Sequence, residues 1–167
     1  MFSDMYIYIS VDIMFADKFR RKRMLLIILD IIGEGDIHGY GIGEKIERLY
    51  GIKKPGSGVI YPVLSMLARN GMVKIVKHGE RDKKVYRITD KGKRFLEDNA
   101  DDLREAKRML RNLGEFYRIG GKDLMETIYE FARSIDTINR ETKERIGEYL
   151  REVTRKIKLE MEKGEKQ

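Results

Sequence analysis

Apolar residues fall along this chain in a rhythm that changes several times, and each change marks an element. From Met24 to Leu29 they run without interruption as MLLIIL. That run predicts a core helix from about Ala16 to Ile32, with Leu25, Leu26, Ile28, Leu29 and Ile32 turned inward and Gly33-Glu34-Gly35 ending it. Ile42, Ile46 and Leu49 then recur at helical spacing, so a second helix should begin between Gly39 and Gly41 and end by Gly51. A third follows Lys53-Lys54-Pro55-Gly56, with Ser57 or Gly58 as its N-cap and Ile60, Val63, Leu64 and Leu67 as its buried stripe. Pro62 limits how far upstream that helix can be regular, and Gly71 closes it.

At Met72 the period drops to two. MVKIVK over 72 to 77 and KVYRI over 84 to 88 read as paired strands, with Val73 and Ile75 on one face, as are Tyr86 and Ile88 on theirs. The polar turn His78-Gly79-Glu80-Arg81-Asp82-Lys83 joins them. Beyond Thr89, a plausible N-cap, Leu96, Asn99, Leu103, Ala106, Leu110, Leu113 and Tyr117 step alternately by three and four residues, the spacing of a coiled-coil seam with one polar member. Gly120-Gly121 breaks it. Two further apolar stripes follow, Leu124 to Ile138 and Ile146 to Ile157, with a bend expected at 136 to 139.

This order predicts a mainly α (α+β) fold: a winged helix-turn-helix over 16 to 89 and a helical dimerisation region over 90 to 163. Residues 1 to 15 are expected to be a tail. Its alternating Tyr6, Ile7, Tyr8 and Ile9 favour extended structure, and Met14 is an alternative initiator.

Charge sharpens the picture by its position. The chain carries 35 Lys and Arg against 28 Asp and Glu, a formal net charge of +7. Residues 1 to 88 hold +6 of it, and the window 53 to 87 alone has nine basic residues and two acidic ones. Clustering on a presumed reading helix and hairpin is the footprint of a nucleic-acid partner. The basic opening of the first helix, Lys18 to Arg23, fits a phosphate partner and a solvated face equally well.

Other chemistry is thin. There is no cysteine and only two histidines, so neither a thiolate metal site nor a histidine ligand set can be assembled, and no cofactor or metal is expected. GYGIG at 39 to 43 lacks the spacing of a phosphate-binding loop, and no nucleophile elbow occurs, so an enzyme is not expected. No apolar run approaches the length of a membrane span, and a reducing cytoplasm is the natural location.

The candidate DNA-binding residues are Ser57, Tyr61, Ser65 and Arg69 on the outer face of the third helix, near bases. Lys53, Lys54, Lys77, Arg81, Lys83 and Lys84 are candidates for phosphates, and His38 and Tyr40 lie at the entry to the second helix. The expected partners are double-stranded DNA and a second copy of the chain. Phe95, Phe116 and Tyr117 leave room for a small aromatic or hydrophobic effector, although packing is the plainer role for them. A winged helix also serves as a protein-interaction or nonspecific architectural module, and that reading stays open.

Three segments carry a family resemblance: LLIILDIIGEGDIHGYGIGEKIE at 25 to 47, GSGVIYPVLSMLARNGMV at 56 to 73, and KKVYRITDKGKRFL at 83 to 96. In this order they resemble the PadR family of transcriptional regulators. His38, Gly39 and Tyr40 match its turn, Tyr61 and Pro62 its recognition helix, and Tyr86 to Thr89 its second wing strand. Val59 stands where the family has threonine, and the wing tip GERDK lacks the commoner proline. The resemblance implies a DNA-binding dimer, usually a repressor of a neighbouring operon, with helices beyond the wing making the dimer.

Overall fold

The computed structural model describes residues 17–78 and 84–164, with side chains for all of these except 17–21, 77 and 78. The tail expected over 1 to 15 and the wing-tip residues Arg81 and Lys83 lie outside the described residues, as does the side chain of Lys77. The chain divides into two compact units after Leu124.

The first unit is built around α1, Asp17–Gly33. Its apolar run surrounds the helix, so it is buried on every side: Leu26, Ile28 and Leu29 are wholly inaccessible, and Ile27 and Ile31, outside the predicted stripe, are buried too. The helices α2 (Gly39–Tyr50) and α3 (Ser57–Arg69) pack on it and on each other. Between α1 and α2 a two-residue strand, β1 (Ile37–His38), pairs antiparallel with β3 (Lys84–Ile88), which in turn pairs with β2 (Val73–His78). The sheet order is β1-β3-β2. The expected hairpin therefore supplies two strands of a three-stranded sheet, with β3 at its centre.

Helix ends follow local chemistry. Gly51 ends α2 in the left-handed region at φ 65°, donating its N–H to the Glu47 carbonyl. Gly71, at φ 67°, and Met72 donate to the Ala68 and Leu67 carbonyls, the paired bonds of a Schellman close to α3. The start of α3 differs from expectation. Gly56 is the N-cap, its carbonyl accepting from Val59 and Ile60, while Ser57 is already the first helical residue. Pro62 then sits inside the helix, not in its first turn. A proline there removes one helical hydrogen bond and crowds the carbonyl four residues back, at Gly58.

The predicted seam over 96 to 117 is not one uninterrupted helix. Asn99, at φ −119° and ψ 29°, separates α4 (Asp90–Asp98) from α5 (Ala100–Phe116), and its amide donates to the Phe95 carbonyl. Asn99 thus stands at a helix boundary within the predicted seam. Ala106, Leu110 and Leu113 are buried against the α1 core of the same chain, with Leu96, Leu103 and Tyr117 partly buried beside them. Lys22 of α1 is tied to Asp102 of α5 at 2.5 Å and Lys107 to Asp30 at 2.7 Å, so the described end of the basic opening already has a partner within the chain. After α5 the chain kinks at Gly120, whose φ of 97° and ψ of 0° lie outside the helical region, the break expected at the glycine pair.

The helix α6 (Lys122–Ser134) continues into the second unit, where a short 3-10 turn, Ile135–Thr137, precedes α7 (Arg140–Gly164). Asn139 caps α7 by accepting the Thr142 N–H on its side chain at 2.9 Å, which fixes the bend where the change of stripe placed it. No residue of α7 is buried, and Leu150, Val153 and Ile157 are exposed. No helix among the described residues is long and apolar enough to cross a membrane.

Candidate nucleic-acid interface

The described candidate residues are carried by four parts of the first unit: the entry to α2, the turn after it, α3 and the wing. On α3 the residues Ser57, Tyr61, Ser65 and Arg69 are all exposed and recur every four positions, so they line one row of the helix surface. The adjoining side carries Ile60, Leu64 and Leu67 into the core. Val59 is half-buried and lies off the exposed row, so the hydroxyl missing there is not missing from the outward face.

The entry to α2 is organised by His38. Its Nδ1 accepts the Gly41 N–H at 2.9 Å, which makes it the helix N-cap and leaves Nε2 as the donor nitrogen of the neutral ring. Tyr40, 53% exposed, projects beside it, and the Lys54 ammonium lies over the Tyr40 ring at 3.6 Å from the centroid. A cation over an aromatic face is attracted by the ring quadrupole. The Tyr40 side chain, and after it the carboxylates Glu44 and Glu47, hold the Lys54 proton more tightly than usual. Glu47 also accepts the Lys54 backbone N–H at 3.2 Å, so the turn between α2 and α3 is fixed at both its main chain and its side chain. Lys53, next to it, is exposed.

The wing is anchored rather than merely appended. Arg87 of β3 donates from Nε and Nη2 to the two oxygens of Asp36, at 2.7 and 2.5 Å, which ties the wing to the residue before β1. Its fork is thus engaged within the chain, and the Asp36 carboxylate holds the Arg87 proton above the ordinary range. The residue pairs Ile37 with Tyr86 and His38 with Val85 set the register between β1 and β3. An irregularity between Ile75 and Lys77 bends the outer part of β2, beyond which Lys84 is exposed on β3. Lys74 is exposed on β2 opposite Arg87, a further basic wing position outside the candidate set that the sequence suggests.

Comparison with known proteins puts this arrangement in a family. Residues 28–98 match the model of the Transcriptional regulator PadR-like family. The chain carries a PadR-like domain. Over 86 residues it is 36% identical to the "Transcriptional regulator YqjI" of Escherichia coli, an alignment that spans 51% of this chain and 41% of that protein. The chain thus covers well under two thirds of the length of the curated relatives it matches. Among solved structures, a transcriptional regulator from Clostridium thermocellum is 23% identical with a TM-score of 0.48, covering 59% of this chain and 96% of that one. Bacillus subtilis PadR, solved in complex with operator DNA, is 29% identical with a TM-score of 0.38, covering 44% of this chain and 43% of that one. At those scores the assignment rests on the sequence match, whose span takes in α2, α3 and the wing. Within the PadR-like domain the described candidates His38, Tyr40, Lys53, Lys54, Ser57, Tyr61, Ser65, Arg69 and Lys84 fall between the end of β1 and the start of β3.

Proposed function

We propose that this protein is a homodimeric, sequence-specific regulator of transcription in the cytoplasm that acts as a repressor, each copy laying α3 into a major groove of double-stranded DNA. The observation that carries the reading is the exposed row Ser57, Tyr61, Ser65 and Arg69, preceded in the chain by Lys53 and Lys54, with a further exposed lysine, Lys84, on the wing. Hydroxyls and an arginine read base edges and phosphates, while lysines fix register on the backbone. Lys77, Arg81 and Lys83 would add phosphate contacts from the wing.

A second copy would supply the other half-site about 34–36 Å away along the duplex. Support for a dimer comes from α7, where Ile146, Leu150, Val153 and Ile157 follow a 4-3-4 spacing on a helix whose polar face is largely neutralised internally, as by Arg140 with Glu144 and Lys156 with Glu152. Of the seam first considered, Leu96, Leu103 and Tyr117 retain partial exposure; Ala106, Leu110 and Leu113 do not.

A small aromatic or hydrophobic effector has a cleft of about 700 Å³ available, lined by Leu49, Tyr50, Ile52 and Tyr117 together with Lys53 and Arg111. Tyr117 is the one of the three aromatic candidates on its wall, and Phe95 and Phe116 pack against the core instead.

The deciding experiment is a mobility shift with the DNA upstream of the protein's own gene against a random duplex of equal length. A retarded complex on the upstream DNA that outlasts the random one as salt is raised is the expected result. Equal affinity for the two sinks sequence-specific regulation and favours the architectural module.

A further inference from the structure

Helix α2 contains glycine at positions 39, 41 and 43, although glycine weakens a helix interior relative to alanine. Two of these glycines lie under side chains that belong to the DNA-facing surface. A Cβ built on Gly39 would stand 3.0 Å from Cε1 and 3.1 Å from Cζ of Tyr61, which reaches across from α3. One built on Gly43 would stand 2.8 Å from Cγ and 3.2 Å from Cδ of Lys54, in the turn. Residues four apart share a helix face. Gly39 and Gly43 therefore form a bare strip of α2 on which an aromatic ring from one element and a lysine stem from another both lie. The same Lys54 ends over the ring of Tyr40, so its ammonium is located by α2 at both ends of the side chain.

We propose that Gly39 and Gly43 are positioning residues for DNA recognition, Gly39 setting the height and tilt of the Tyr61 ring above the recognition helix and Gly43 the path of the Lys54 stem. A methyl group at either place moves the side chain above it by a few tenths of an ångström, and groups that read or grip DNA tolerate little displacement. The inference rests on the DNA-binding reading above. Core atoms also approach these glycines, Leu64 Cδ1 at 3.2 Å from a Cβ on Gly39 and Ile60 Cδ1 at 3.1 Å from one on Gly43. A packing role alone would thus predict a loss of stability, and a positioning role a loss of binding that vanishes once the positioned side chain is gone.

Two double-mutant cycles separate these, each read by fluorescence anisotropy and thermal unfolding of the full chain. In the first, Gly39→Ala is expected to weaken binding to the upstream DNA roughly tenfold, within the range of couplings between contacting side chains. Affinity for random duplex and the melting temperature should hold, and in the Tyr61→Ala background Gly39→Ala should have no further effect. In the second, Gly43→Ala should lower the salt dependence of binding to random duplex as Lys54→Ala does, and the double variant should match Lys54→Ala alone. Unaltered binding by both glycine variants overturns the proposal, as do losses that add in full to those of Tyr61→Ala and Lys54→Ala. Glycine variants that fail to fold overturn it too, because the glycines then serve the core. If the wild type shows no preference for the upstream DNA, sequence-specific regulation falls, while the Lys54 cycle on random duplex still decides this proposal.

Discussion

The backbone of α5 at Gly114 lies directly against the carbonyl oxygen of Tyr50, the last residue of α2, leaving no room for a side-chain carbon between them. The second helix after the wing is thereby locked to the first helix of the helix-turn-helix by main chain against main chain. Gly114→Ala forces the two apart, and overpacking of this kind costs about 1–3 kcal/mol. Urea unfolding should show that loss, whereas Gly58→Ala, where an added Cβ meets nothing, should leave the protein as stable or more so.

Leu110→Ala should remove about 2–5 kcal/mol, since Leu110 is buried among α1 side chains of its own chain. The size of the loss should be the same when the protein is diluted roughly tenfold, because a contact inside one chain does not depend on a second copy. A loss that grows on dilution would place Leu110 between subunits instead.

The way the chain reads on paper explains both the successes and the misses around that residue. Heptad spacing reveals that one face of 96 to 117 is covered, and it is; spacing does not reveal what covers it. The answer lay in α1, where apolar residues all round the helix demand partners on every side, and α5 is one of them. Asn99 passed unnoticed as a break because Leu96, Asn99 and Leu103 keep the period across it. Strand β1 could not be read at all, since two residues carry no periodicity; its place is set by pairing with β3 and by the Asp36 to Arg87 bridge. The exposure of Tyr61, Ser65 and Arg69 on α3 was legible, because Ile60, Leu64 and Leu67 fix the buried side of the helix and these residues fall off it.

Salt dependence should sort the basic residues. Lys53→Ala and Lys84→Ala should each flatten the slope of log affinity against log salt by about 0.9, one phosphate contact apiece. Arg87→Ala should leave the slope as it is, because its guanidinium is already taken by Asp36. A full unit of slope lost with Arg87 would show that DNA displaces that carboxylate.

Two tyrosines make the fold sensitive to alkali. Burial pushes Tyr50 up from the ordinary value of 10.0, with the Asp30 charge adding to it, and burial followed by Tyr61 does the same for Tyr86. Their folded phenols keep the proton longer than unfolded ones, so stability is undiminished below pH 10 and falls as the pH rises beyond it. Melting temperatures between about pH 8 and about pH 11 should trace that fall, and Tyr50→Phe should make it shallower.

For α7 the expectation concerns assembly. Leu150→Asp with Ile157→Asp should convert a dimer into a monomer by light scattering while the circular dichroism spectrum stays helical, since neither side chain is buried within its own chain. A monomeric wild type at working concentrations would remove the two-fold geometry from the proposed function.

One residue at the base of the wing does more than its place in a loop suggests. The Thr89 hydroxyl donates to the Gly71 carbonyl at 2.7 Å and accepts the Gly92 N–H at 3.2 Å, while its own N–H donates to the Met72 carbonyl at 3.0 Å. The exit of α3, the return strand of the wing and the start of α4 are all riveted at this point. The wing cannot swing from its root without uncapping α4, so the root of the wing and the start of that helix move as one piece.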